Sequence, residues 1–144
     1  MAEREKNIQT YDVTVTRQDA AHSVAYADGH SLLLNTRRGD RTAGFNAAQT
    51  LLAAQGACLI SNLTHFAELM RLDVAAIRID IRGLRADDPP GLFQVAFQVN
   101  LISNEPEEKL RKLFDLAVKW GTVTNTLAEG VEPQGELLIQ RPTS

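Results

Sequence analysis

The residue with the widest chemistry open to it is Cys58, the single cysteine of a 144-residue chain. It closes the segment Gly44-Phe45-Asn46-Ala47-Ala48-Gln49-Thr50-Leu51-Leu52-Ala53-Ala54-Gln55-Gly56-Ala57-Cys58, within the most apolar stretch of the sequence. A thiol there either packs as a small apolar group or attacks as a redox nucleophile. The attacking species is the thiolate, and a free thiol titrates at about 8.5, so attack near neutral pH needs positive charge close by. Oxidation yields a sulfenic acid, which a resolving thiol captures as a disulfide. No second cysteine exists in the chain. An internal disulfide is therefore excluded, and any resolving thiol comes from outside.

Positive charge clusters at Arg37, Arg38 and Arg41, interrupted by Asp40. By default these are solvated loop charges. The formal net charge of −3 argues against nucleic acid as the main partner, since phosphate binding needs clustered lysine and arginine. His22, His30 and His65 have no metal-ligand spacing and no cysteine partners, so no metal is expected. The start of the chain, Met1 to Lys6, lacks the basic-then-apolar layout of an export signal. Gln55, Ser61, Asn62, Thr64 and His65 put too many polar groups in the apolar stretch for a membrane span. The expectation is a soluble cytoplasmic protein with no resident cofactor and no nucleic-acid or membrane partner.

The elements that must position Cys58 follow from hydrophobic periodicity. Without repeats, low-complexity tracts or linkers, residues 1–144 read as one domain, of a size that buries roughly two-thirds of its unfolded surface. Tyr11, Val13 and Val15 alternate with polar neighbours, as in a half-buried strand. A second strand fits His22 to Ala27, turned by Asp28-Gly29 into a third at Ser31 to Asn35. Residues 36–45 read as a loop. A helix is expected from Ala47 to Leu72, with Asn46 and Gln49 at capping-box spacing. Its apolar residues surround the cylinder, which implies burial on most sides. Such a helix spans ~40 Å, long for so small a domain, so a second subunit is expected to cover part of it.

Ile77, Ile79 and Ile81 alternate with Arg78, Asp80 and Arg82; after Asp87-Asp88-Pro89-Pro90-Gly91 comes a second alternating run through Phe93, Val95, Phe97, Val99 and Leu101. This predicts an antiparallel pair. A helix starts near Pro106 with Glu105, Glu107 and Glu108 at its positive end and Leu110, Leu113, Phe114 and Ala117 as its core stripe. Val123 to Leu127 reads as a short turn of helix and Glu136 to Gln140 as a last strand. The order β-β-β-α-β-β-α-β gives an α+β domain.

This layout resembles the family of osmotically induced and organic-hydroperoxide-resistance proteins, OsmC/Ohr, over nearly the whole chain. The resemblance is strongest from Asn46 to Cys58, where the family has Asn-Pro-Glu, then Leu-rich and Ala-rich residues, then Ala-Cys. Lys119-Trp120-Gly121-Thr122-Val123-Thr124 falls where the family carries Cys-Pro, a small apolar or aromatic residue, and Ser. The resemblance implies antiparallel sheets around a long central helix, an intertwined homodimer with active sites between subunits, and thiol-based reduction of peroxides. In that scheme an arginine holds the thiolate and a glutamate holds the arginine.

Carried over residue by residue, Cys58 matches the attacking cysteine. Arg38 matches the arginine by its distance from Cys58, while Arg37, after Asn35-Thr36, fits a local motif one place earlier. The glutamate place is Ala48; Gln49 beside it is either a guanidinium partner or only a helix cap. The second cysteine place is Gly121 or Thr122. Two functions are consistent with this. One is a one-cysteine, thiol-dependent hydroperoxide reductase of weakened activity, with Cys58 and Arg38 as its catalytic pair and an external thiol as reductant. The other is a non-catalytic dimer that binds a hydrophobic small molecule in an interfacial cleft. His65, two helical turns beyond Cys58, reads as a hydrogen-bonded core or interface residue or a thiolate support, and Phe93, Phe97 and Trp120 read as core, with Trp120 also suited to floor a cleft.

Overall fold

The computed structural model describes residues 7–142, which pack as two compact units, one reaching to Ala53 and one beginning at Ala54. The first holds a three-stranded antiparallel sheet of β1 (Thr14–Arg17), β2 (His22–Ala27) and β3 (His30–Asn35), in the order β1-β2-β3. Asp28 and Gly29 both have positive φ, 51° and 80°, the backbone that a two-residue hairpin requires. Ala27 accordingly pairs with His30 and His22 with Asn35.

β1 begins at Thr14, three residues later than the alternation from Tyr11 predicts. The register explains this: Thr14 faces Tyr26, and β2 ends one residue later in its turn. Tyr11 and Val13 thus have no ladder partner and stay exposed. On β2, Ser23 and Val24 are buried, and the Ser23 hydroxyl meets that of Thr36 at 2.8 Å.

α1 (Ala47–Leu69) starts in the first unit and continues in the second. Its N-terminus is the expected capping box. Asn46 Oδ1 accepts the Gln49 N–H at 2.9 Å, and Gln49 Oε1 accepts the Asn46 N–H at 3.0 Å. The helix stops at Leu69 rather than Leu72, because Arg71 takes a left-handed backbone (φ 57°). Its N–H bonds the Glu68 carbonyl at 3.1 Å and the Leu72 N–H bonds that of Ala67 at 2.8 Å, which is a Schellman cap. Leu51, Ile60 and Leu69 on this helix are exposed in the single chain.

In the second unit β4 (Ala76–Ala86) pairs antiparallel with β5 (Gly91–Ile102), Ile77 facing Leu101 and Ile81 facing Phe97. The alternation holds except at Phe93. Leu84 faces Gln94 and Arg85 faces Leu92, so a bulge skips Phe93 and leaves it 67% exposed, not in the core as expected. α2 (Glu107–Lys119) follows Pro106. The buried centre is Leu63 and Ala67 of α1 against Leu113 and Ala117 of α2, with Ile77, Ile79, Val99 and Leu101 packed onto it. Gly56 lets α1 come close to β4, since a Cβ there would stand 3.2 Å from Ile81 Cδ1.

The chain then differs from expectation. The turn expected at Val123–Leu127 is a full helix, α3 (Thr122–Glu129), and no strand forms at 136–140, so the described order is β-β-β-α-β-β-α-α. The reason is the same as at Tyr11: strand hydrogen bonds need a neighbouring edge. Leu137 and Leu138 pair with no strand and are 80% exposed.

Candidate active site

Cys58 lies in the middle of α1, half-buried, with Gln55 one turn before it and Leu59 beside it. Leu59 is fully buried and Gln55 is 2% exposed. A primary amide in so closed a place needs partners. Gln55 finds them in Thr124: its Nε2 lies 3.0 Å from Thr124 Oγ1 and its Oε1 3.3 Å from the same oxygen. Residues 55 and 58 are three apart and so share one helix face.

The opposing wall is the junction of α2 and α3. α2 ends as the Trp120 and Gly121 N–H groups bond the carbonyls of Leu116 and Val118. Asn62 Nδ2 donates to the Ala117 carbonyl at 3.1 Å, tying this junction to α1. Asn125 Nδ2 donates to the Lys119 carbonyl at 3.2 Å and closes the corner from the other side. Gly121 is the N-cap of α3, in ordinary extended backbone (φ −80°, ψ 124°). A Cβ there would stand 3.2 Å from Cys58 Sγ and 2.7 Å from Thr124 Oγ1. Position 121 therefore abuts the sulfur, and glycine is accommodated because Thr124 fills the side-chain space.

Arg37 and Arg38 belong to the first unit, both exposed in the loop after β3. That loop is organised by buried Asn35. Its Oδ1 accepts the Arg37 N–H at 3.0 Å, its Nδ2 donates to the Asp40 carbonyl, and its own N–H bonds the Phe45 carbonyl at 2.8 Å. The Asp40 carboxylate accepts from the Thr42 hydroxyl at 2.6 Å and the Thr42 N–H at 2.7 Å. These two bonds, and more weakly the charge of Arg37, hold its carboxyl below the usual range. Gln49 has its side-chain oxygen on the Asn46 N–H, as a helix cap.

His65 is exposed, edge-on to Phe66 with ring centroids 5.1 Å apart. Trp120 is 60% exposed, with the Lys119 ammonium 5.4 Å from its ring centroid. Between β5 and α2 runs an open groove of about 470 Å³, lined by Val99, Leu101, Leu110 and Phe114 and edged by Glu107, Arg111 and Asp115. Among the described residues no helix is long and apolar enough to cross a membrane. Sequence reasoning passed over Gln55 and Thr124 as site residues. The available signal was a lone amide one turn before the cysteine, in an otherwise apolar run.

The chain is similar to several known proteins. The family pattern described as OsmC-like protein matches residues 38–134. A protein of Mycoplasma genitalium named hydroperoxide reductase is 25% identical over 121 residues, covering 81% of this chain and 86% of its own. The crystal structure of an OsmC-like protein from Mycoplasma pneumoniae superposes with a TM-score of 0.77 at 22% identity, over 85% of this chain and 89% of that one. That of the organic hydroperoxide resistance protein OhrB of Bacillus subtilis gives 0.57 at 18% identity, over 86% and 94%.

Proposed function

This chain belongs to the OsmC-like protein family, and from that premise we propose that it is a thiol-dependent hydroperoxide reductase working with one cysteine. The observation that carries the reading is Cys58 itself, a residue half-buried and not sealed in the core, with its sulfur beside position 121. The name of the Mycoplasma genitalium relative supports the reaction class.

In the proposed reaction the Cys58 thiolate attacks one peroxide oxygen. An S–O bond forms, the O–O bond breaks, and the alkoxide leaves and takes a proton as the alcohol. Sulfur is oxidised by two electrons and the hydroperoxide reduced by two. An external thiol then attacks the sulfenic sulfur, expelling water and forming a mixed disulfide, and a second thiol releases Cys58. Arg38, or Arg37 beside it, supplies the positive charge. No carboxylate stands at 48 to fix that charge, and loss of one oriented electrostatic element costs on the order of a hundredfold in rate. The working protein is a homodimer, in which a second copy covers apolar residues such as Leu51, Ile60 and Leu69.

The test is consumption of cumene hydroperoxide with dithiothreitol or dihydrolipoamide as reductant. Cys58→Ser should abolish it, and Arg38→Ala should slow it more than Arg37→Ala. A serine variant as fast as the parent refutes the reading. The apolar groove between β5 and α2 favours a second reading, a dimer that binds a hydrophobic small molecule without chemistry. It predicts a co-purifying apolar ligand and a Cys58 inert to peroxide.

A further inference from the structure

Asn35 holds the loop that carries the arginines at three points, and each point is a backbone group. The residue closes the β2–β3 ladder opposite His22 and is 3% exposed. Its Oδ1 accepts the Arg37 N–H at 3.0 Å, its Nδ2 donates to the Asp40 carbonyl, and its own N–H bonds the Phe45 carbonyl at 2.8 Å. A side-chain amide so buried is costly unless its bonds are satisfied. Here its two partners stand at the two ends of one short turn.

The turn itself decides which arginine it presents. The Asp40 N–H bonds the Arg37 carbonyl at 3.3 Å, which puts Arg38 and Gly39 at the two corners of a β-turn. Gly39 has φ 84°, the positive value that the second corner of a type II turn requires and that glycine takes without strain. Both backbone polar groups of Arg37 are thus engaged at the base, while Arg38 stands exposed on the first corner. The base is fastened to β2 as well. The Thr36 N–H bonds the Ala21 carbonyl at 2.8 Å, and the hydroxyls of Ser23 and Thr36 meet at 2.8 Å. The far end of the loop returns to Asn35 through Phe45, the residue before the Asn46 cap of α1.

We propose that Asn35 is a positioning residue: by holding the Arg37 and Asp40 ends of this turn, it fixes where Arg38 carries its charge. The proposal rests on the reductase reading, in which an arginine supplies positive charge for the Cys58 thiolate. The same geometry selects Arg38 over Arg37, because the grip falls on the base and the corner is what it aims. With alanine at 48, no carboxylate at that place restrains the guanidinium from its side-chain end. The buried amide restrains it from the backbone end instead. A charge already oriented stabilises a developing one without reorganisation, whereas a charge on a loose loop must be ordered at each turnover.

The experiment measures how fast cumene hydroperoxide oxidises Cys58, read by intact mass with a 1,3-dione as sulfenic acid trap, with a thermal melt of each variant alongside. The variants are Asn35→Ala, Asn35→Asp, Gly39→Ala, Arg38→Ala and the double Asn35→Ala/Arg38→Ala. Asn35→Ala should slow oxidation about tenfold, a part of what one oriented electrostatic element supplies. Asn35→Asp keeps the acceptor for the Arg37 N–H and should recover some of the loss. The double variant should be no slower than Arg38→Ala, because residue 35 then has no charge to place. A merely structural role would instead slow the double variant beyond the single one. An Asn35→Ala variant as fast as the parent, or a slowing of the same size with and without Arg38, overturns the proposal. Should that variant not fold, Gly39→Ala decides: its Cβ meets nothing within 4 Å, so it strains only the turn, and an unchanged rate overturns the proposal equally. A parent in which Cys58 gains no oxygen removes the reductase reading and this inference together. One that oxidises normally and ignores the substitutions at 35 and 39 removes only the inference.

Discussion

Gly121→Cys should create a disulfide with Cys58, and its strength can be worked out in advance. The Cβ at 121 would stand 3.2 Å from the Cys58 sulfur, close to the Cβ-to-partner-sulfur distance that bonded cysteines show, and the backbone there is one any residue adopts. The closed loop runs from residue 58 to residue 121. For a loop of that size, chain entropy predicts about 4 kcal/mol of stabilisation. Against this stands Thr124 Oγ1, 2.7 Å from the new Cβ, which must rotate and give up its bond to Gln55. One lost hydrogen bond costs about 1 kcal/mol. The net gain of about 3 kcal/mol should raise the melting temperature by roughly 10 °C in a chain of this length. The assay is a thermal melt of the variant with and without reductant, with intact mass reporting the loss of two hydrogens. A variant that keeps two free thiols under mild oxidant, or melts no higher when oxidised, refutes the placement of α3 against α1. The reduced variant should melt below the parent, because the clash with Thr124 remains and the cross-link does not.

Two further outcomes follow from the first unit and from the start of α1. Asn46→Ala removes the oxygen that accepts the Gln49 N–H and should cost about 1 kcal/mol, measured by urea unfolding; a change near zero would mean the capping box contributes nothing. Acid should weaken the first unit through Asp19 and Asp40. The Asp19 carboxyl lies below its ordinary value of 3.8 because it accepts the N–H groups of Ala21 and His22, then the His22 ring nitrogen. The Asp40 carboxyl lies below the same value through Thr42. A group depressed in the folded state stabilises fully above its unfolded value and loses that contribution as pH falls through the folded one. The melting temperature should therefore drop as pH falls below about 4, and less steeply in Asp19→Asn. An equal slope in the variant would count against the Asp19 turn.

The elements were legible wherever local chemistry decides them. The Asp28-Gly29 turn fixed the second hairpin, and Asn46 with Gln49 fixed the start of α1. Features set by neighbours were not. The end of α1 depends on Arg71 entering left-handed backbone, where no glycine or asparagine marks the site. The bulge at Phe93 reverses a side chain that period-two reasoning puts inside. The strand expected at 136–140 has the right residues but pairs with neither sheet. The site divides in the same way. The family resemblance singled out Cys58, and Gly121 or Thr122, through motifs of fixed length. Gln55 and Thr124 are 69 residues apart and meet only through tertiary packing.

On the proposed chemistry, the two departures at Ala48 and Gly121 act on different steps, and this makes them separable. A missing carboxylate at 48 weakens the hold on the cation that stabilises the thiolate, so it slows attack on the peroxide and leaves the fate of the sulfenate alone. A missing thiol at 121 does not touch that attack; it transfers resolution to a molecule from solution, whose concentration then sets the second rate. Slow oxidation combined with a long-lived oxidised state is self-consistent, since a sulfenate that waits for an encounter must be protected while it waits.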